Sequence, residues 1–378
     1  MAKREPARNP DRRTLLQLGT SWVGCLALEP GLRRARAPAE DPLDAALARL
    51  HADPPGPNLH HANHVPMAVE ALAVLGREAA ILPWLAQNLD PAGAPMPLRA
   101  TLDATNWRAA LSRPERFADW QALFLRELSA YDWRAVLRRW APRLAPGLAG
   151  AATHGVIRCG HAARAVGAKD SELRRRELAT GLAYWAASYQ ELPWDGSLAP
   201  EPSVEAALAT LTLRQPAVEP PGGNFAAGLT SLDETPSFLP VAGRIDVRDP
   251  AATLHEITAA FAQRLLQNPG QEIALTHAVT APSAVRLLLP ALDEEGARLA
   301  TRHAWQAAAG LLVVYGQAGR ARVEPRTTRS DTELIDTAVA LGNAHGIKLT
   351  EACLREDAAQ PDPVYRAAAQ ALTDALKG

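Results

Sequence analysis

Apolar residues along most of this chain recur every three or four positions, the period of helices that turn one face inward. Leu43 to Leu50 is a short segment of this kind, stopped by Asp53-Pro54-Pro55-Gly56-Pro57. Asn63 then reads as an N-cap, Pro66 is tolerated in the first turn, and a helix continues through Met67, Val69 and Leu72 to Gly76. Residues 77–89 predict a second helix, and a Pro/Gly-rich loop follows at 90–97. Further helices are predicted over 116–130, 131–140, 151–167 and 171–191, the last with Ala183-Tyr184-Trp185-Ala186-Ala187 as its apolar face. Residues 195–204 read as a turn region. Residues 215–240, rich in Pro, Gly, Asn and Thr, form the longest irregular stretch, a linker or a lid. Helices over 250–267, 271–292 and 297–315 come next, then a loop to Ser330 and helices over 331–345, extendable to Glu356, and 362–376. Leu311 to Tyr315 has strand character, but Trp305 to Gly310 before it reads helical. No alternating strand of useful length and no internal repeat interrupts the pattern. The fold class is therefore all-α: a multi-helix single domain over 41–378 with an irregular insertion around 215–240.

Composition narrows the partners. A formal net charge of −1, with no dense Lys/Arg stripe, argues against nucleic acid. No apolar run reaches the length of a membrane-spanning helix, so no membrane partner is expected. Cys25, Cys159 and Cys353 contain no Cys-x-x-Cys pair, which excludes a disulfide scaffold and a thiolate zinc site. Residues 1–40 form an N-terminal extension. Arg12-Arg13 followed by an apolar stretch to Leu28 resembles a twin-arginine export signal, and Cys25 lies in an imperfect lipobox. The plainer reading is a disordered extension and a cytoplasmic protein.

Several catalytic signatures are missing. No Gly-x-Gly-x-x-Gly follows a strand, so there is no dinucleotide or flavin fingerprint; Gly316-Gln317-Ala318-Gly319 is the nearest approach. There is no P-loop and no Gly-x-Ser-x-Gly elbow, and His255-Glu256 lacks the second histidine of a zinc protease.

The histidines carry more information. His64 opens a helix. His154 and His161 are seven apart, two turns along one helical face. His277 sits in the apolar run Ala274-Leu275-Thr276-His277-Ala278-Val279, where each ring nitrogen needs a partner. His345 and Lys348 are one turn apart, with Lys348 among Ile347, Leu349 and Ala352. Any one of these residues alone is more ordinarily structural: a hydrogen-bonded histidine, or a lysine reaching along a helix to water. Together they point to a buried metal site assembled from distant helices. Imidazole and oxygen ligands without thiolate suit iron, manganese, copper or zinc. Neutral imidazoles leave the metal's charge uncompensated. A deprotonated or carboxylated Lys348 would serve as a ligand, the latter an anionic one, with Glu351 and Glu70 as alternative carboxylates.

Five motifs in order, Asn63-His64-Val65-Pro66-Met67-Ala68-Val69-Glu70, Thr153-His154-Gly155-Val156-Ile157-Arg158, Glu177-Leu178-Ala179 with Ala183-Tyr184-Trp185, Thr276-His277-Ala278-Val279-Thr280 and His345-Gly346-Ile347-Lys348, resemble the questin oxidase-like family over most of 41–376. The resemblance implies an oxidoreductase that opens a ring of a polycyclic aromatic ketone or quinone-like substrate with oxygen, as a monooxygenase or dioxygenase. It implies metal ligands at His64, His154, His277 and His345 with Lys348 beside them, and Lys348 and His161 as catalytic candidates. His161 stands behind the ligands, because fungal members carry an aromatic residue there. Iron is the expected metal and NADPH a possible electron donor. Trp107, Tyr184, Trp185, Trp305 and Tyr315 are candidate walls for an aromatic substrate, against the more ordinary role of core packing. A metal-free NADPH-dependent oxygenase and a non-catalytic helical scaffold are the competing readings.

Overall fold

The computed structural model describes residues 41–52, 63–89, 96–213 and 225–377. The extension 1–40, with its export-signal motif, and the loop at 90–95 lie outside the described residues. Among the described residues there are helices and no named strand, only an isolated bridge between Leu148 and Gln190. The helices are α1 Pro42–Ala52, α2 Val65–Val74, α3 Glu78–Asn88, α4 Phe117–Ala130, α5 Trp133–Leu144, α6 His154–Ala168, α7 Glu172–Ala187 and α8 Val204–Ala209. The second half adds α9 Phe225–Thr230, α10 Pro250–Gln267, α11 Glu272–Leu288, α12 Glu294–Tyr315, α13 Asp331–Leu341, α14 Ala344–Ala359 and α15 Pro363–Ala375.

The hydrophobic pattern explains who sits inside. Helices α6 and α11 are buried on nearly every face, so neither has a polar stripe to give to water. They pack on each other; α7 covers α6, while α10 and α12 cover α11. Helix α14 lies against α2, α11 and α15. Two glycines of α6 permit this close packing. A Cβ at Gly160 would stand 2.7 Å from the Ala284 carbonyl oxygen of α11, and one at Gly155 would stand 2.6 Å from the Trp185 Cα of α7.

Helix α11 with its last 3-10 turn, Glu272–Ala291, is long and apolar enough to cross a membrane by length and composition, contrary to the sequence expectation; 72% of its most apolar window is buried inside the fold. The expected helix over 331–345 is two. Gly342 takes φ +66°, ends α13, and Asn343 then caps α14 by accepting from the His345 backbone N–H at 2.9 Å. The helix expected from 151 starts at His154, because Ala151, Ala152 and Thr153 are all left-handed, at φ 49°, 50° and 71°. Within 215–240, residues 225–230 are helix α9, and 3-10 turns run on from Ser231; residues 214–224 lie outside the described set. Leu311–Tyr315 is the end of α12, not a strand.

Candidate metal centre

Four helices each deliver one imidazole to a common point. His64 caps the N-terminus of α2, where the neighbouring Asn63 side chain accepts from the Val65 N–H at 3.0 Å. His154 is the first residue of α6 and His345 the second of α14. His277 comes from the buried middle of α11. One ligand atom from each lies within 4.8 Å of all the others. His154 and His277 are buried, whereas His64 and His345 are partly exposed, so the approach to the centre is on their side.

The ring orientations are fixed from behind. His277 Nδ1 lies 2.9 Å from the Ile273 carbonyl of its own helix, and His154 Nδ1 lies 2.6 Å from the Ala151 carbonyl. A carbonyl only accepts, so each ring carries its proton on Nδ1 and presents a bare Nε2 lone pair. The left-handed turn at 151–153 turns the Ala151 carbonyl toward His154. It costs about 1–2 kcal/mol per non-glycine residue, and that strain persists beside the site it orders.

Spacing supplies the test of fit. His154 Nε2 lies 2.9 Å from His64 Nε2 and 3.2 Å from His277 Nε2. Two ligand nitrogens about 2.1 Å from one ion at right angles stand about 3.0 Å apart. The bare lone pairs of His154 and His277 at that separation repel unless a cation lies between them. The donor set therefore fits a divalent transition metal.

Electrostatics keep the rings ready. Burial, then the neighbouring His277 and His64 rings and Lys348, hold His154 well below the ordinary histidine range. Burial and Lys348 push His277 down to about 3, and the same causes lower His345. All three are neutral at pH 7. Lys348 is 1% exposed, and burial lowers its ammonium to about 7. Among the described residues no carboxylate pairs with it.

The alternative carboxylates do not join the ligand group. Glu70 and Glu351 are both bound to Arg164, with Glu70 Oε1 and Oε2 at 2.8 and 2.6 Å from its guanidinium. Arg355 adds a second pair to Glu351 at 2.9 Å. His161 does not reach the cluster: it lies two turns beyond His154 on α6, with Nδ1 2.7 Å from Glu70 Oε2. This charged layer joins α2, α6 and α14 one storey below three of the four rings.

The aromatic candidates divide. Trp107 belongs to a cluster with Trp120 and Trp140, and Trp305 donates to the Val241 carbonyl and packs on Phe261; both are core. Tyr184 and Trp185 are buried on α7, with Trp185 backing Gly155 next to His154. Tyr315 donates to the Phe225 carbonyl at 3.1 Å. Phe225, which sequence reasoning missed, lies 5.7 Å ring to ring from His277. It follows the irregular stretch, and no periodicity in a six-residue helix marks it. The turn at 151–153 was equally invisible, since Ala-Ala-Thr carries no left-handed signal.

No curated protein matches the chain. The profile of the questin oxidase-like family matches residues 61–353, a span that holds all four histidines and Lys348. The family name denotes an oxidoreductase, and the match covers well over half of the sequence. This chain belongs to the questin oxidase-like family.

Proposed function

We propose that this protein is an oxygen-dependent oxidoreductase that opens a ring of a polycyclic aromatic ketone or quinone-like substrate, with iron held by His64, His154, His277 and His345. The observation that carries the reading is the convergence of four imidazoles, two of them with Nε2 freed by carbonyls behind the ring. Iron bound there would supply the one-electron chemistry that lets oxygen react with a spin-paired organic molecule. The chain's own residues do the rest. The Ile273 and Ala151 carbonyls hold His277 and His154 in one tautomer. Phe225 and Tyr315 form an apolar wall beside His277 that excludes water and suits a flat ring.

Lys348 supplies the missing negative charge. Its buried amine, lowered to about 7, is substantially neutral at neutral pH. A neutral amine adds carbon dioxide, forming an N–C bond and releasing one proton, and the resulting carbamate offers an anionic oxygen to the metal. We give His161 a positioning role: with Glu70 and Arg164 it fixes α6 against α2.

Elemental analysis of protein from iron-replete expression tests the centre, with oxygen uptake measured on a hydroxylated anthraquinone. Stoichiometric iron and uptake that stops on chelation are expected; protein without stoichiometric metal would sink the reading. Carbon-13 bicarbonate should give a carbamate resonance in the wild type that is absent from Lys348→Met.

A further inference from the structure

A cavity of about 510 Å³ lies away from the histidines, between α8, α10, the end of α12 and the loop after it. That is the size of a small-molecule site. Leu208, Leu211, Leu213 and Leu312 give it an apolar wall. Arg264, Arg320 and Arg322 give it charge. Arg264 is neutralised by Glu205 at 2.6 Å. Among the described residues Arg320 reaches only the neutral Gln317 side chain, at 2.7 Å, and Arg322 has no hydrogen-bond or ion-pair partner. Among the described residues, then, the cavity carries two guanidinium groups with no carboxylate partner beside an apolar wall.

The loop that bears them is held by a dedicated set of buried carboxamides on and just beyond α10. Gln263 donates to the Val323 carbonyl at 2.9 Å and Gln267 to the Ala321 carbonyl at 3.1 Å, so both carbonyls flanking Arg322 are fixed. Asn268 accepts from the Gln317 N–H at 2.6 Å. All three carboxamide residues are at most 8% exposed. Buried polar groups spent on an irregular loop hold its arginines at the cavity rim.

We infer that this cavity binds a small organic anion, a monocarboxylate with an apolar ring system, its carboxylate on Arg320 and Arg322 and its body on the four leucines. Guanidinium favours carboxylate through paired N–H donors, and the leucines exclude a bare inorganic anion as the best occupant. The site is separate from the metal centre and stands whether or not metal is held.

The test is calorimetric titration of the purified full-length protein with 2-naphthoate, 2-naphthalenemethanol and inorganic phosphate. Both arginines are exposed, so Arg322→Ala and the double Arg320→Ala/Arg322→Ala leave the core intact, which matching thermal melts would document. Naphthoate should bind the wild type saturably, and the double variant about tenfold or more weakly. The neutral alcohol and phosphate should each bind the wild type more weakly than naphthoate. Absence of saturable naphthoate binding overturns the inference. Equal binding by the double variant, including binding at the metal instead, also overturns it, as does phosphate binding as tightly as naphthoate.

Discussion

Arg164 is the residue whose loss should most disturb the histidine centre without touching it. Its guanidinium bridges Glu70 of α2 and Glu351 of α14 from α6. Both carboxylates are fully buried, and both are held below the usual range although burial alone would raise them. Glu351 titrates at about 2 instead of 4.5, worth about 3 kcal/mol of stability at neutral pH. Arg164→Ala leaves Glu70 with His161 alone and Glu351 with Arg355 alone. Removing one partner of a buried ion pair costs about 3–5 kcal/mol; of the Glu351 linkage figure only a part is lost with Arg164, because Arg355, the larger cause of that lowering, remains. Urea unfolding followed by far-ultraviolet circular dichroism, with chelator present so that metal contributes nothing, measures it. Adding Glu70→Gln should restore part of the loss by removing a stranded charge. The pH dependence has a definite sign. A depressed carboxylate stabilises fully above its unfolded value near 4.5 and loses that contribution as pH falls through about 2. The gap between wild type and variant should therefore narrow below pH 4.5. A loss under about 1 kcal/mol at pH 7, or a gap unchanged down to pH 3, refutes the argument.

Further outcomes follow from the same geometry. His277→Ala removes the most buried ring, at 1% exposure, and should weaken metal binding by at least about 100-fold while the helical spectrum is retained; calorimetric metal titration checks this. Ala151→Gly relaxes one of three left-handed residues at a half-buried position; the metal-free protein should gain up to about 1 kcal/mol in urea while binding metal more weakly, because the carbonyl behind His154 is no longer fixed. Cys159 and Cys353 are buried thiols pushed well above the ordinary thiol range, so a thiol reagent should label neither until the protein is unfolded.

Much of the fold was legible because it is written in periodicity. Helices α10, α11, α12 and α15 have long apolar faces and strong end signals, such as Asp249-Pro250 and Asp362-Pro363, whose carboxylates accept from first-turn N–H groups. Boundaries slipped where backbone geometry overrode composition. Gly342 separates α13 from α14 within a run that is periodic on both sides. The left-handed turn before α6 follows a tightly packed glycine, since a Cβ on Gly150 would meet the Ser188 carbonyl oxygen at 1.9 Å. Of the site, the histidines stood out because a ring in an apolar run needs partners. Sequence spacing could not separate His161 from the set. It shares a helical face with His154; the family resemblance set it behind the ligands, and its bond to Glu70 shows which storey it belongs to.

That separation of storeys carries the electrostatic logic of the centre. A carboxylate beside the four rings would be the usual way to offset a metal's charge, and α14 has one available in Glu351, a turn beyond Lys348. Arg164 and Arg355 take its Oε1 instead, leaving Oε2 without a hydrogen-bond partner among the described residues, and Arg164 and His161 occupy Glu70. The acids are thus spent on tying α2, α6 and α14 together, and the rings face a lysine. A charged ammonium there would repel a dication, and burial already drives Lys348 toward its neutral form. An arrangement that pairs both nearby acids with arginine and draws one buried amine toward its neutral form makes sense when the anion is made on that amine. Lys348→Glu would then be the informative replacement, placing a permanent carboxylate near the same point. It should retain more metal than Lys348→Met in elemental analysis, and equal loss in both would remove Lys348 from the ligand set.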